Sequence, residues 1–252
     1  MKFQDYLITN ISYLKNKNKR ETIDIAKQFS GLKGIEIGGP SAIFSLKGIF
    51  PVYLYAGIID GVNFSEQTVW EGSIHKGNTY QYYKNKQNGY QYIDEAAVLA
   101  TVPDSHYDFL LSSHCLEHIA NPIAALKNWL RVLKSKAKIC LVLPDKNYTF
   151  DVKRPYTTFQ HLLEDYKNNT QETDNTHFSE VIELHDFTKE KTSLSKDEFK
   201  CRTWNNFENR CVHHHVFNFE TINTMLEFCD CDVLLNKQFS PFHLLSIAQK
   251  RS

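Results

Sequence analysis

The stretch that most constrains the fold is GLKGIEIGGPSAIF, residues 31–44. An apolar run there holds one acid, Glu36, and is then broken by Gly38, Gly39 and Pro40. An ordinary buried strand has no use for a carboxylate, so the acid needs a separate reason. Glycine lacks the Cβ that would keep a ligand off the backbone, and a helix that follows presents free N–H groups. The run therefore predicts a strand followed by a bend against which a ligand lies.

A second stretch, residues 105–145, has the pattern of a strand, a helix and another strand. Tyr107–Leu111 is a short apolar run, and Asn121-Pro122 fits a helix N-cap followed by proline in the first turn. The apolar run AKICLVLP (137–144) is typical of a strand that is buried on both faces. Strand, helix and strand with short links predict a parallel crossover unit, and hence an α/β fold.

The rest of the chain divides into three regions. We expect residues 1–145 to form the ligand-binding core, residues 146–210 to form a polar insertion over one end of the sheet, and residues 211–252 to return to the core. Hydrophobic periodicity predicts further helices at 21–30, 158–166, 178–187 and 218–229, and further strands at 49–60, 231–240 and 242–249. Residues 61–92 show no clear period, which predicts loops with at most a short strand and partly packed tyrosines.

Composition excludes several classes of partner and location. Lys+Arg and Asp+Glu both number 29, so no net field favours nucleic acid or an anionic membrane. The opening residues 1–20 scatter Lys, Asp and Asn among apolar residues, which predicts neither a signal peptide nor a membrane anchor. Six cysteines without a C-x-x-C pair predict no disulfide framework, and a cytoplasmic location follows as the expectation.

The two stretches together resemble a known family. IEIGGPS (35–41) resembles the first motif of class I S-adenosylmethionine (SAM)-dependent methyltransferases, and YDFLLSSHCLEHIANP with the following helix and LVLPD resembles their fourth-strand and fifth-strand region. Within that superfamily the chain is similar to methyltransferases of bacterial capsule and surface-polysaccharide genes, including those tied to O-methyl phosphoramidate decoration. The sequence departs from the family where Pro40-Ser41 replaces the usual third glycine and where no PGG turn precedes the fifth strand.

The resemblance implies a Rossmann-like fold with a seven-stranded, mostly parallel sheet, an α-rich insertion after strand five, and SAM as the cofactor. The residues that it implies for cofactor binding are Glu36, Gly38, Gly39, Pro40, Asp60, Glu95, Ala96, Ser112, Ser113 and His114. Asp60 would bind the ribose hydroxyls, because a carboxylate offers several acceptor lone pairs; the alternative is a solvated turn acid. Glu95-Ala96 would contact the adenine, with Asp94 as a competitor.

The methyl-accepting side has two alternative chemistries. A sugar hydroxyl must lose a proton, so it calls for a base; His114 and His118 are candidates, with Glu117 orienting them or else merely capping the helix start. An anionic oxygen needs only a cationic cradle, for which Arg154 and Arg210 are candidates because a guanidinium fork matches phosphate oxygens.

The run RCVHHHVFN (210–218) adds His214 to the candidate catalytic residues, and alternate histidines are expected to face the cleft and the solvent. A zinc site made of Cys201, Cys211 and these histidines is not expected, because no pair has a recognised ligand spacing. We therefore predict no metal.

The sequence as a whole predicts a SAM-dependent methyltransferase acting on a small or nucleotide-linked anionic acceptor in surface-polysaccharide modification. No nucleic-acid or membrane partner is expected, and a homodimer is possible. The alternatives are a sugar-hydroxyl O-methyltransferase with a histidine base, and a catalytically inactive partner protein of the same fold.

Overall fold

The computed structural model describes residues 17–190 and 194–252. The prediction of neither a signal peptide nor an anchor in residues 1–20 therefore falls, for residues 1–16, outside the described residues. Among the described residues, none of the helices is both long and apolar enough to cross a bilayer. The strands are β1 (Lys33–Ile37), β2 (Ile58–Asn63), β3 (Gln67–Thr68), β4 (Gly72–Ser73), β5 (Gly77–Tyr80), β6 (Gly89–Ile93), β7 (Tyr107–Ser113), β8 (Leu133–Pro144), β9 (Cys231–Phe239) and β10 (His243–Lys250).

Eight of these strands form one sheet, in the order β5-β6-β2-β1-β7-β8-β10-β9. The five neighbours from β6 to β8 run parallel, whereas β5 is antiparallel to β6, and β10 is antiparallel to both β8 and β9. The predicted α/β class is confirmed, but the sheet has eight strands rather than seven. The tract 61–92, predicted as loops with at most a short strand, supplies β5 and most of β6 at one edge. Its tyrosines are partly packed as expected, and Tyr80 and Tyr82 are buried.

Helices cover both faces of this sheet. They are α1 (Lys17–Lys27), α2 (Val52–Tyr55), α3 (Pro122–Val132), α4 (Phe159–Lys167), α5 (Phe178–Leu184), α6 (Lys196–Trp204), α7 (Asn206–Asn209) and α8 (Phe219–Phe228). One buried apolar cluster includes Trp129 of α3 and lies on one face. A second cluster, rich in aromatic side chains such as Phe29 and Tyr53, lies on the other. The core is therefore a three-layer sandwich with the sheet in the middle.

The predicted strand at 49–60 is wrong in its first half. Val52–Tyr55 is a helical turn that follows Pro51, and the strand begins only at Ile58 and continues to Asn63. The β-branched and aromatic residues of the first half reflect burial in the aromatic cluster rather than strand geometry. The true strand therefore ends three residues later than predicted, which moves its carboxyl end to Asn63.

The parallel strands bring their carboxyl ends to one edge of the sheet. Ile37 is in register with Val62 of β2 and with Ser112 of β7, and Ser113 is in register with Val142 of β8. Ligands of open α/β sheets bind outside this edge.

Helix α3 begins as the sequence predicts. The side chain of Asn121 accepts a hydrogen bond from the backbone N–H of Ala124 (3.1 Å), and Pro122 occupies the first turn. The amide Nδ2 of Asn121 also donates to the carbonyl oxygen of Asp165 (3.1 Å), so one side chain caps α3 and holds α4.

We expect Asn121→Ala to lower the free energy of unfolding by about 1–2 kcal/mol, because the cap and a buried donor are both lost. Asn121→Ser keeps an acceptor oxygen at the cap but loses the donor, and it should recover part of that loss. Urea unfolding of the three proteins measures both values, and equal stability of all three would contradict the assignment.

Candidate active site

A cavity of about 510 Å³ lies at the carboxyl edge of the parallel strands. Its wall includes the bend after β1 (Gly38, Pro40 and Ser41), Asn63 at the end of β2, and Ser113 at the end of β7. This size falls within the range of about 300–1,000 Å³ that is common for small-molecule sites. The predicted bend therefore does border a ligand-sized space.

Glu36 itself does not line this cavity. Strand alternation turns Ile35 and Ile37 toward one core cluster and Glu36 toward the other face, where its carboxylate is fully buried. It accepts hydrogen bonds from the hydroxyls of Tyr53 (2.5 Å) and Tyr80 (2.6 Å) and from the backbone N–H of Ser41 (3.0 Å). The acid therefore holds the bend in place from behind.

The two glycines of the bend serve different contacts. Gly38 has a φ of 78°, in the left-handed region, and a Cβ there would lie 3.1 Å from the Cys115 side chain. A Cβ on Gly39 would lie 2.2 Å from the carboxyl carbon of Glu36 and 2.4 Å from the Tyr80 hydroxyl. Gly39 therefore makes room for a side chain of the protein, whereas Gly38 borders the cavity.

The structure divides the cofactor residues implied by the resemblance into two groups. Those that line the cavity are Gly38, Pro40, Glu95, Ala96, Ser113 and His114. Those that the structure places outside the cavity wall are Glu36, Gly39, Asp60 and Ser112. For Ser112 the reason is alternation along β7, which points neighbouring side chains to opposite faces.

The placement of Asp60 is corrected because the strand runs on to Asn63. The Asp60 carboxylate accepts from the Tyr107 hydroxyl and the Tyr90 backbone N–H (both 2.8 Å), and it pairs with Lys33 at 3.1 Å near the opposite edge. The cavity is lined instead by Asn63, which the sequence reasoning missed. Val62 continues the apolar run past Gly61, and that signal could have identified Asn63 as the strand end.

Asn63 also ties the cavity wall together. Its Nδ2 donates to the carbonyl oxygen of Gly39 (3.0 Å), and its Oδ1 accepts from the indole Nε1 of Trp70 (3.3 Å). The end of β2 therefore fixes both the bend and an aromatic side of the cavity.

The two predicted arginines are both engaged with carboxylates. Arg154 is 2% exposed and does not line the cavity; it pairs with Asp151 (2.9 Å) and Glu180 (2.8 Å), and its guanidinium donates to two backbone carbonyls. The prediction that Arg154 binds the acceptor is therefore wrong, because its guanidinium contacts other residues of the protein instead of the cavity.

Arg210 does line the cavity, but it bridges two acids. It pairs with Glu172 (2.7 Å) and Glu95 (2.9 Å). Burial and the neighbouring Glu95 charge raise the pKa of Glu172 to about 7, although Arg210 opposes the shift. An anion bound by Arg210 would therefore compete with these two carboxylates.

Histidines from two distant parts of the chain meet at the cavity. We use "Glu117 cluster" for Glu117, His114, His118 and His213. The three histidines line the cavity, and Glu117 lies behind them with its side chain fully buried. The Nδ1 of His213 lies 2.5 Å from Asp151, and the Nδ1 of His118 lies 3.1 Å from the carbonyl oxygen of Val212.

The charge states of this cluster follow from burial and neighbours. Burial lowers the pKa of His118 to about 4, which keeps its imidazole neutral. Burial alone would lower the pKa of His213, but the Asp151 carboxylate outweighs it and raises that pKa. Burial alone would raise the pKa of Glu117, but the surrounding imidazoles lower it.

The expectation that alternate histidines face cleft and solvent is wrong. His213, His214 and His215 are all buried. Their rings pack against Phe150, His177 and Phe178 from earlier in the chain, so neither side of the segment faces solvent. The backbone N–H of His214 donates to the carbonyl oxygen of Glu117 (2.8 Å), while its ring lies 3.2 Å from the Asn206 amide. His213, not His214, reaches the cavity.

Comparison with known proteins identifies the family of the chain. The sequence pattern of the methyltransferase domain family matches residues 12–234, well over half of the chain. The chain belongs to the methyltransferase domain family. No curated protein sequence matches it.

Solved methyltransferases share the fold at low sequence identity. The chain is similar to a SAM-dependent methyltransferase from Mesorhizobium loti, with a TM-score of 0.53, 10% identity, and coverage of 92% of this chain and 95% of that one. It is also similar to a SAM-dependent methyltransferase from Methanosarcina mazei (TM-score 0.50, 15% identity, 90% and 97% coverage). A third is 1,6-didemethyltoxoflavin-N1-methyltransferase from Burkholderia thailandensis (TM-score 0.50, 9% identity, 95% and 81% coverage). At these identities the likeness concerns the fold alone.

The Glu36 contact predicts a pH dependence of stability. Burial raises the pKa of Glu36 from 4.5 to about 7, although three donors oppose it. The folded protein therefore holds a proton that the unfolded chain releases, so the free energy of unfolding falls as pH rises from about 4.5 to about 7. We expect a contribution of about 3 kcal/mol over this window, which Glu36→Gln should remove.

Urea unfolding of both proteins between pH 4.5 and pH 7.5 measures this difference. Glu183→Gln, at an exposed position of α5, serves as the control and should keep the wild-type slope. A constant difference in stability between wild type and Glu36→Gln across the window would contradict the prediction.

Proposed function

We propose that the protein is a SAM-dependent methyltransferase that methylates a neutral hydroxyl of a small or nucleotide-linked acceptor. The family and the cavity at the carboxyl edge support the reaction class. One observation supports the neutral acceptor: the cationic side chains of the cavity are already paired with carboxylates.

The cavity residues fit SAM as the cofactor. Gly38 leaves bare backbone at the wall, and the buried hydroxyl of Ser113 has no hydrogen-bond partner within the described part of the chain. Asn63 ends β2, and Glu95 and Ala96 follow the end of β6. All three line the cavity, where they would hold the nucleoside. A cleft with excess carboxylate also favours a positively charged sulfonium.

The charge of the wall argues against an anionic acceptor. Its acids are Glu71, Glu95, Glu172 and Glu190, against the two arginines Arg202 and Arg210. Arg202 pairs with Glu190 at 3.1 Å, and Arg210 pairs with the other two acids described above. A phosphate or phosphoramidate oxygen would have to displace these carboxylates, whereas a neutral hydroxyl meets no such cost.

When bound, the cofactor supplies a methyl group on a positively charged sulfur. Alignment by the cavity wall can then provide much of the acceleration. As the bond from methyl to the acceptor oxygen forms and the bond to sulfur breaks, the hydroxyl proton must leave. The Glu117 cluster offers imidazoles at the wall to take it.

The wider setting stays a proposal from the resemblance: modification of surface polysaccharide by a cytoplasmic enzyme, with a homodimer possible. The anionic acceptor expected from the sequence is the second candidate, and it needs Arg210 to exchange partners. An inactive partner protein is the third, and its one support is the altered glycine motif.

Calorimetry tests the cofactor. We expect micromolar binding of SAM and of its demethylated product, and at least tenfold weaker binding by Asn63→Ala, because that variant releases both the bend and Trp70. Asn236→Ala, on β9 at the far edge of the sheet, is the matched control and should bind as the wild type does. Absence of binding by the wild type would end the proposal.

Transfer of labelled methyl to a panel of acceptors tests the chemistry. We expect label on neutral sugar nucleotides and a loss of about 100-fold in kcat for His213→Gln, with SAM affinity retained. His106→Gln, exposed at the opposite edge of the sheet, should leave the rate unchanged. Label only on phosphorylated or phosphoramidate acceptors, with a loss for Arg210→Gln instead, would favour the anionic alternative.

A further inference from the structure

Three residues of the Glu117 cluster are arranged like the ligands of a metal ion. One oxygen of Glu117 and one nitrogen each of His118 and His213 all lie within 4.8 Å of one another. We infer that these three residues form a site for a divalent cation in the wall of the cavity. The inference goes beyond the expectation of no metal, and its catalytic consequence rests on the proposed function.

The first support is an unsatisfied carboxylate. Glu117 is 0% exposed, and neither of its carboxylate oxygens has a hydrogen-bond partner among the residues that the structure describes. The Nδ1 of His114 stands 3.5 Å away, too far for a strong hydrogen bond. A buried carboxylate with only such long contacts to imidazoles is poorly satisfied, and coordination of a cation would satisfy it.

The second support is the way the two imidazoles are held. The Nδ1 of His118 faces the carbonyl oxygen of Val212, and the Nδ1 of His213 faces Asp151. Metal-binding histidines typically donate their second ring N–H to a carbonyl or a carboxylate in this way, which orients the other nitrogen toward the ion. In both residues Nε2 is the nitrogen left for the cluster.

Arg154 belongs to the same arrangement. Its guanidinium binds the Asp151 carboxylate (2.9 Å) and donates to the carbonyl oxygen of His213 (2.8 Å). It therefore fixes both the ligand residue and the acid that orients it, and it acts as a positioning residue.

The location indicates what the ion does. His118 and His213 both line the cavity, so a cation held by three protein ligands keeps coordination positions open toward the acceptor. An acceptor hydroxyl bound there would have a lowered pKa. Its oxygen would take the methyl carbon as the carbon–sulfur bond breaks, and its proton would pass to solvent.

The set of ligands indicates the kind of cation. Two imidazoles and one carboxylate suit first-row cations such as Zn²⁺, Mn²⁺ and Co²⁺.

A second group of potential ligands provides a matched control. His161, Asp165, His177 and His215 also bring their ligand atoms within 4.8 Å of one another, on α4, the start of α5 and the segment before α8. Variants in that group test whether any bound cation belongs to the cavity or to the packing of the insertion.

The experiment uses protein stripped with a chelator and then titrated with Co²⁺ and Mn²⁺, followed by visible absorption and electron paramagnetic resonance. We expect one cation per chain in the cavity site, with at least tenfold weaker binding in Glu117→Gln and His118→Gln and unchanged binding in His161→Gln. Thermal unfolding checks that each variant is folded. If Glu117→Gln does not fold, the visible spectrum of Co²⁺ bound to the wild-type protein is recorded with and without the acceptor panel. A change in that spectrum on addition of acceptors supports a cation in the cavity wall, and no change argues against it.

Unchanged cation affinity in Glu117→Gln and His118→Gln, or its loss in His161→Gln, would overturn the inference. Calorimetry with SAM in the presence of chelator separates this outcome from the proposed function. Binding of SAM with full methyl transfer in chelator defeats the cation site alone. Binding of Mn²⁺ by a protein that does not bind SAM defeats the proposed function alone.

Discussion

The buried Glu36 carboxylate is the contact on which the cavity depends. It joins Tyr53 of α2 and Tyr80 of β5 to Ser41 in the bend, so a helix, a strand and the bend meet at two oxygen atoms. The bend carries Pro40 and Ser41 into the cavity wall. A side chain that could not accept several hydrogen bonds would leave the bend without this support, and the bare backbone at Gly38 would lose its position.

Local signals allowed the parallel crossover to be predicted from the sequence. The N-cap of α3 joins Asn121 to a residue only three positions away, and the apolar run of β8 is continuous, so both can be recognised without knowing the rest of the fold. The cavity residues depend on distant partners. Tyr80 reaches Glu36 across 44 positions, a contact that no local pattern predicts. The error at Asp60 is of another kind, because the apolar run that continues to Val62 is itself a local signal for the end of β2 at Asn63.

The histidine segment is a second case in which contacts with distant residues made the prediction from sequence wrong. Alternation between cleft and solvent applies to a strand with one solvent-exposed face, whereas side chains such as Phe150 and Phe178 pack against this segment where solvent was expected. Its three histidines are buried in consequence, and His213, which reaches the cavity, contacts Asp151, 62 positions earlier in the chain. No pattern within RCVHHHVFN encodes that choice.

The contacts of the two arginines bear on the charge of the acceptor. Arg154 orders Asp151 and the backbone of His213, and Arg210 joins Glu95 of the core to Glu172 of the insertion. A guanidinium that already donates to two carboxylates must compete with them to bind an anion, and a displaced buried carboxylate is unfavourable. Both arginines therefore serve contacts within the protein. Under the proposed function, the carboxylates of the wall would favour a sulfonium and a neutral hydroxyl over an anion.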